Sequence, residues 1–520
     1  MTRTQRSLPS IFIGIAGLLI SQAACGGESL SPAIRKVVNE PRFKHAHWGI
    51  LVVDRATGEV VYEHNSDKLF APASTTKLYS VASALEHLGA GYRFRTPVYR
   101  RGDIVGGVLR GDLILVASGD LTMGGRTDER GEIAFTDADH TYANGSRTTQ
   151  LTSPDPLAGL DQIARQVANA GIEEITGEVV VDARLFETAS SSGSGPSKVT
   201  PILINDNLVD ITVTPGSNGE LAQIDWRPRA PCYDVKSHIQ TVAAEDRASI
   251  EIRETEGGRL ELHGQIPVDH PPIIRVYEVP DPQNWARSLL IDALRRADIE
   301  VAADPLQPNA SDKLPDASEY EHLDRVAELE SPPFSENARL ILKVSHNLHA
   351  STLPLLVAAR HGKRKLNDGL QMQHDFLKRA GVEVESISFG GAAGGANSDF
   401  TTPRANVELL RYMTTRPDFD VYFRALPVLG VDGTLHEAVA SDSPAVGKAQ
   451  AKTGTLYWYN GMNDSYLLTS KALAGYMTGK SGRELVFSFV VSGVHLDEIE
   501  QRSEIGKKLG QLCEIVYVEQ

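Results

Sequence analysis

An α+β fold, an antiparallel sheet with helices on both sides interrupted by a large β-rich insertion, follows from three features of the sequence. Leu78, Val81, Leu85 and Leu88 recur at helical spacing, so a helix with one buried face starts in the seventies. Apolar runs bounded by turn residues stand near both ends of the chain, at 48–53 and at 485–491, and read as buried strands. Between them, from about residue 93 to about 320, short strand-like pieces and polar loops dominate.

At the N-terminus, Arg3 and Arg6 precede an apolar run over 11–20 and the small residues Ser21, Ala23 and Ala24. Residues 1–25 therefore read as an export signal, too short to span a bilayer, so the mature chain belongs to the periplasm or cell envelope. Cys25-Gly26-Gly27 leaves two readings open. Cys25 is the lipid-anchored residue of a bacterial lipoprotein, or cleavage falls after Ala23 or Ala24, since Gln22 stands where lipoprotein signals usually carry an aliphatic residue.

Residues 47–54 and 60–62, joined through Ala56-Thr57-Gly58, form a hairpin by pattern and lead straight into the helix that starts after Pro72. Strand patterns follow at 107–110, 112–117 and 177–182, with a helix over 160–170 and a Ser/Gly-rich loop at 189–197 that reads as a surface excursion. Alternation returns at 208–213, 249–253 and 259–263, and Trp285, Leu289, Leu290 and Leu294 mark a further helix. The Pro/Asp/Ser-rich stretch 304–320 reads as the exit linker of the insert. The expected organisation is a main domain of residues 30–92 plus 321–520, and an insert of residues 93–320 with an inner domain at about 210–280.

The formal net charge of −15 over 520 residues leaves no basic stripe for a phosphate backbone, which excludes nucleic acid as an expected partner. Beyond the signal only Cys232 and Cys513 remain, too few for a disulfide scaffold, and buried unpaired thiols are expected. The fifteen histidines show no His-Glu-x-x-His spacing, so no metal or other cofactor is expected.

Three short motifs carry chemistry. In Ser74-Thr75-Thr76-Lys77, helical spacing puts the lysine beside the serine hydroxyl, and a buried lysine with a depressed pKa can take the proton that makes serine a nucleophile. The pattern is again helical from Asn337, and Ser345-His346-Asn347 falls within it, while Lys452-Thr453-Gly454 lies among Ala449, Ala451 and Thr455 at the start of a strand. A second Lys-Ser-Gly, at 480–482, sits between two apolar runs and reads as a hairpin turn; His346 reads as a spacer, and the Gly/Ala-rich segment 390–396 as a loop.

Ser-x-x-Lys, Ser-x-Asn and Lys-Thr-Gly in this order resemble the penicillin-binding proteins and serine β-lactamases. Motifs one and two stand 271 residues apart and motifs two and three 107 apart; so large a first gap resembles the D-alanyl-D-alanine carboxypeptidase/endopeptidase family, the class C low-molecular-mass penicillin-binding proteins. Ser118-Gly119-Asp120 and the segments 430–435 and 451–456 are similar to that family too. The resemblance implies a β-lactamase/transpeptidase-like domain, peptidoglycan stem peptides as substrate and β-lactams as acylating inhibitors. It implies Ser74 as nucleophile, Lys77 as base, Ser345 as proton relay, Asn347 on the substrate amide, Lys452 as a source of positive potential, and Thr453 on the terminal carboxylate. Gly454 and Thr455 complete the substrate strand, the N–H of Thr455 joining that of Ser74 in an oxyanion hole.

Two departures from the family pattern stand out. The family usually carries Ala-Glu after the second motif where this chain has Ala350-Ser351, and the usual Asp-Gly-Ser-Gly-Leu is only approximated by Asn397-Ser398-Asp399-Phe400-Thr401. A non-catalytic penicillin- or peptidoglycan-binding envelope protein, and a β-lactamase, therefore stand as the alternative readings.

Overall fold

The structure, a computed structural model, describes residues 30–146, 148–255 and 257–520. The export signal and Cys25 lie outside the described residues. Among those described, no helix is long and apolar enough to cross a membrane.

The main domain is built on an antiparallel sheet in the order Ala449–Asn460, Ser465–Thr478, Glu484–Ser492, His47–Asp54 and Val60–His64, with Val494–Leu496 added beside the second strand. The first and last parts of the chain thus meet in one sheet, with Trp48 opposite Val491 and Val52 opposite Phe487. The apolar run of 48–53 is explained by burial on both faces. Leu51 and Val53 join a core with the helix Thr76–Leu88 and the helices of 334–425, while Ile50 and Val52 join another with the C-terminal helix Arg502–Glu519. The fold is α+β as the sequence predicts, with helices on both sheet faces.

The inserted region carries a sheet in the order Glu300–Val301, Glu174–Ile175, Val108–Val116, Arg95–Val105 and Asp324–Glu330, with Val179–Asp182 beside the third strand. Two three-stranded sheets lie between residues 208 and 278. Strand Asp324–Glu330 pairs with Arg95–Arg100, so this sheet takes in residues up to about ten beyond the Pro/Asp/Ser-rich stretch. Its core runs without a break from Val98 and Leu115 through Val209 and Leu262, so both halves of the insert share one apolar interior. Cys232 and Cys513 are both free, and Lys480-Ser481-Gly482 forms the turn between the two central strands.

Candidate active site

Ser74 lies in a single 3-10 turn, Ala73–Thr75, that runs into the helix Thr76–Leu88. Ala73 is held at φ +47, a conformation a non-glycine residue adopts only under constraint, and such residues concentrate where geometry is set by function. The constraint is visible in the third motif. Gly454 lies against this turn, and a Cβ there would meet the carbonyl oxygen of Pro72 at 2.7 Å, so only glycine lets the strand approach the Ser74 turn so closely.

Lys77 is fully buried. Its Nζ lies 2.9 Å from Ser74 Oγ, 2.7 Å from Asn347 Oδ1 and 2.8 Å from the carbonyl oxygen of Ala393. Burial first, and then the positive charge of Lys452, hold its pKa well below the usual lysine value, opposed by the carboxylate of Asp399. A neutral amine has two N–H groups and one lone pair. Once Lys77 is neutral, donation of both N–H groups to the two carbonyl oxygens would leave its lone pair for the Ser74 hydroxyl.

Ser345 is the residue before the cap of the helix Asn347–Arg360 and is held at φ +66, its carbonyl taking the hydroxyl of Tyr142 from the insert. Asn347 is gripped on both sides: its Oδ1 accepts from Lys77, and its Nδ2 donates to the carbonyl of Ser194 at 2.8 Å. The expectation that 189–197 is a mere surface excursion is therefore corrected. That loop packs on the second motif, with Ser191 Oγ 2.9 Å from Ser351 Oγ, at the position where the family pattern has its acid. The segment 390–396 is a loop, as expected, but one that supplies the Ala393 carbonyl to Lys77 and the Ala392 carbonyl to Ser80. Asp399 holds it by accepting from the N–H groups of Gly390 and Ala396, and burial raises its pKa.

Lys452 is buried, donates to the carbonyl of Thr453, and has its pKa pushed down to about 7 by burial and then by Lys471. Thr453 exchanges a 2.7 Å hydrogen bond with Thr434, whose segment is anchored by Lys343 on Asp432. Thr455 accepts from Lys471 at 2.8 Å, and burial first and then Arg502 lower that lysine to about 8.

His346 is no spacer. It caps its helix by accepting from His349 N–H, its ring stacks on that of His349 at 3.7 Å, and both rings face Asp206 of the insert. Asp206 also accepts from Arg126 at 2.7 Å and meets His140 at 2.8 Å; Arg126 spans to Asp139, while His140 and Arg227 reach Asp210. Asp206, His346 and His349 offer ligand atoms within 4.8 Å of one another. Both Asp206 oxygens are nevertheless committed, and Arg126, His140 and Arg227 already balance Asp139, Asp206 and Asp210. The donor set is an ion lock joining the insert to the second motif.

The geometry thus brings Lys77 into direct contact with Ser74 and Asn347, lays Gly454 against the Pro72-Ala73 backbone just before Ser74, and puts the charge of Lys452 close enough to act on Lys77, with Ser345, Thr453 and Thr455 adjoining these residues in the chain. Sequence reasoning missed Tyr142, Ser194 and Thr434 as neighbours of these groups, and the Ala393 carbonyl. Only the segments around 399 and 434 carried a signal, through their likeness to the family pattern.

The chain is 25% identical over 514 residues to the D-alanyl-D-alanine carboxypeptidase of Actinomadura sp. (strain R39), covering 94% of this chain and 85% of that protein. It is 21% identical over 476 residues to the D-alanyl-D-alanine carboxypeptidase DacB of Haemophilus influenzae, covering 88% of this chain and 87% of that one. The crystal structure of penicillin binding protein 4 from Haemophilus influenzae superposes with a TM-score of 0.70 at 19% identity, over 93% of this chain and 99% of that one, which shows a shared fold. The model of the D-Ala-D-Ala carboxypeptidase 3 (S13) family matches residues 30–512, nearly the whole described chain, and the protein belongs to that family of serine peptidases.

Proposed function

We propose that this protein is an exported serine D-Ala-D-Ala carboxypeptidase that hydrolyses peptidoglycan stem peptides through an acyl-enzyme on Ser74, and that β-lactams acylate the same serine. One observation carries the reading: the Nζ of a fully buried lysine lies 2.9 Å from Ser74 Oγ, while Asn347 Oδ1 and the Ala393 carbonyl oxygen accept from it at 2.7 and 2.8 Å. Lys77 takes the hydroxyl proton as Ser74 Oγ attacks the carbonyl of the penultimate D-alanine. The terminal amide bond breaks, its nitrogen gains a proton by way of Ser345, and D-alanine leaves. Water then attacks the ester and restores the serine. Lys452 and Thr453 hold the terminal carboxylate, and N–H groups of Ser74 and Thr455 stabilise the oxyanion, each such donor being worth about 3 kcal/mol.

The test is incubation of the purified protein with a labelled penicillin and with a pentapeptide ending in D-Ala-D-Ala, for wild type and Ser74→Ala. A covalent adduct and D-alanine release are expected, both lost in the variant. An adduct that survives Ser74→Ala overturns the assignment. Adduct without peptide turnover supports a binding protein, and rapid penicillin hydrolysis a β-lactamase.

A further inference from the structure

The strand that carries the third motif runs past the sheet. Ala449–Asn460 is the edge strand, and with Ser465–Thr478 it forms a long hairpin. The third strand stops supporting that hairpin at the pair Lys471–Val491, and Val494–Leu496 reaches only as far as Tyr466. Residues 457–459 therefore lie in a narrow three-stranded extension of the sheet, backed only by Val494–Leu496, and the turn at 460–465 projects beyond it. They carry Tyr457, Trp458, Tyr459 and Met462, which are 46%, 66%, 52% and 86% exposed.

The faces of this projection can be assigned. Thr455 and Lys471 point to the side of the C-terminal helix, because Lys471 feels Arg502, and Ser470 points to the other side, because its hydroxyl reaches the Ala71 carbonyl before the nucleophile turn. A bulge follows Leu456, and beyond it Tyr457 lies under the Arg502 guanidinium at 5.8 Å, again on the C-terminal helix side. Tyr459 packs with Tyr466, which in turn neighbours Tyr457. Alternation then turns Trp458 to the opposite face, the one that holds Ser74. Four residues along an extended strand set Trp458 about 13 Å from Gly454 on that face.

Resting on the acyl-transfer reading, we propose that Trp458 and the hairpin tip beyond it form a platform for the glycan part of the substrate, stacking on a pyranose ring of the amino sugar that bears the stem peptide. With the terminal carboxylate at Lys452 and Thr453 and the scissile carbonyl at Ser74, the peptide runs toward the hairpin. The four stem residues on the sugar side of the scissile bond span about 13 to 14 Å when extended, which places the sugar at Trp458. The chemistry of the tip agrees. Residues 456–466 contain no lysine or arginine and a single acid, Asp464, so they do not attract an anionic lipid surface. Asn460 follows Trp458 by two residues and so shares its face, while Asp464 is held on the other side by the Tyr459 hydroxyl at 2.8 Å. An aromatic face beside an amide suits a neutral ring with an apolar face and hydroxyl and acetamido edges.

The test compares D-alanine release from a free stem pentapeptide with release from the same pentapeptide on an N-acetylglucosamine–N-acetylmuramic acid disaccharide. Wild type is expected to have the higher kcat/KM on the sugar-bearing substrate. Trp458→Ala should lower that advantage about five-fold, the scale of one aromatic stacking contact, while Trp458→Phe retains most of it. The disaccharide without peptide, titrated calorimetrically, should bind wild type and not Trp458→Ala. An equal effect of Trp458→Ala on both substrates, or disaccharide binding that survives it, overturns the proposal. So does flotation of wild type with phosphatidylcholine vesicles that Trp458→Ala abolishes while disaccharide binding persists. If no peptide substrate is turned over, the acyl-transfer reading fails, and the disaccharide titration still decides the platform.

Discussion

The hydroxyl of Ser351 lies 2.9 Å from that of Ser191, so the position where the family pattern places an acid is spent on holding an inserted loop against the second motif. Ser192 N–H and the Ser194 carbonyl extend the same contact to Ser351 and Asn347. Gly193, at φ +121, passes so close that a Cβ would meet Asn347 Nδ2 at 2.6 Å. Gly193→Ala should therefore displace Asn347 and slow acylation by penicillin about ten-fold, the effect of roughly 1.4 kcal/mol. Ser351→Ala should slow it less. Stopped-flow acylation rates beside thermal midpoints test this: a Gly193→Ala variant with a normal rate removes the loop from the site.

The pH dependence of acylation should report Lys77 and Lys452 separately. In the proposed reaction Lys77 takes a proton above its own pKa, which burial and then the charge of Lys452 lower and Asp399 raises. Lys452→Gln should move the acid limb of the profile to higher pH, and Asp399→Asn to lower pH. Lys452 supplies charge only below about 7, so wild-type rates should fall as pH rises through that value, and Lys452→Arg should remove the fall. Limbs that do not move in these directions contradict the coupling.

Thr434 reaches the third motif only through its 2.7 Å hydrogen bond to Thr453. Thr434→Val leaves the Thr453 hydroxyl without that partner, a loss of about 1 kcal/mol in positioning. KM for a D-Ala-D-Ala peptide should rise several-fold with kcat little changed, as steady-state kinetics would show.

The ion lock predicts a stability optimum close to pH 6.5. Interactions with Asp210 and Asp206 outweigh burial and raise His140 from its ordinary 6.5 to about 10, so its contribution is complete below 6.5 and is lost as pH rises toward 10. His349 is pushed down to about 4, mainly by burial, so the folded state resists its protonation and stability falls as pH drops from 6.5 toward 4. Thermal midpoints against pH should lose their alkaline slope in His140→Gln and part of their acid slope in His349→Gln. Parallel profiles for all three proteins would contradict the lock.

Local pattern was enough for the elements whose burial is written in their residues. The apolar run at 48–53, the stripe of Leu78, Val81 and Leu85, and the turn at 480–482 all stand where period and turn chemistry place them. The pairing of strand Asp324–Glu330 with Arg95–Arg100 is not legible locally, because the strand is polar on its open face and its partner lies more than 220 residues away.

At the active site, the sequence by itself determined the chemistry: Ser74 with Lys77 at helical spacing, and the order of the three motifs. Tertiary structure alone decided the arrangement that makes the chemistry work. The Ala393 carbonyl, the Tyr142 hydroxyl, the Ser194 carbonyl and the Asp206 carboxylate act through backbone groups or across distances in the chain of up to 316 residues. A carbonyl has no residue identity to read, and a carboxylate does not name its partner. His346 shows the limit most plainly. In the sequence it fills the gap between a serine and an asparagine; in the fold it caps the helix and faces the carboxylate that ties the insert to the site.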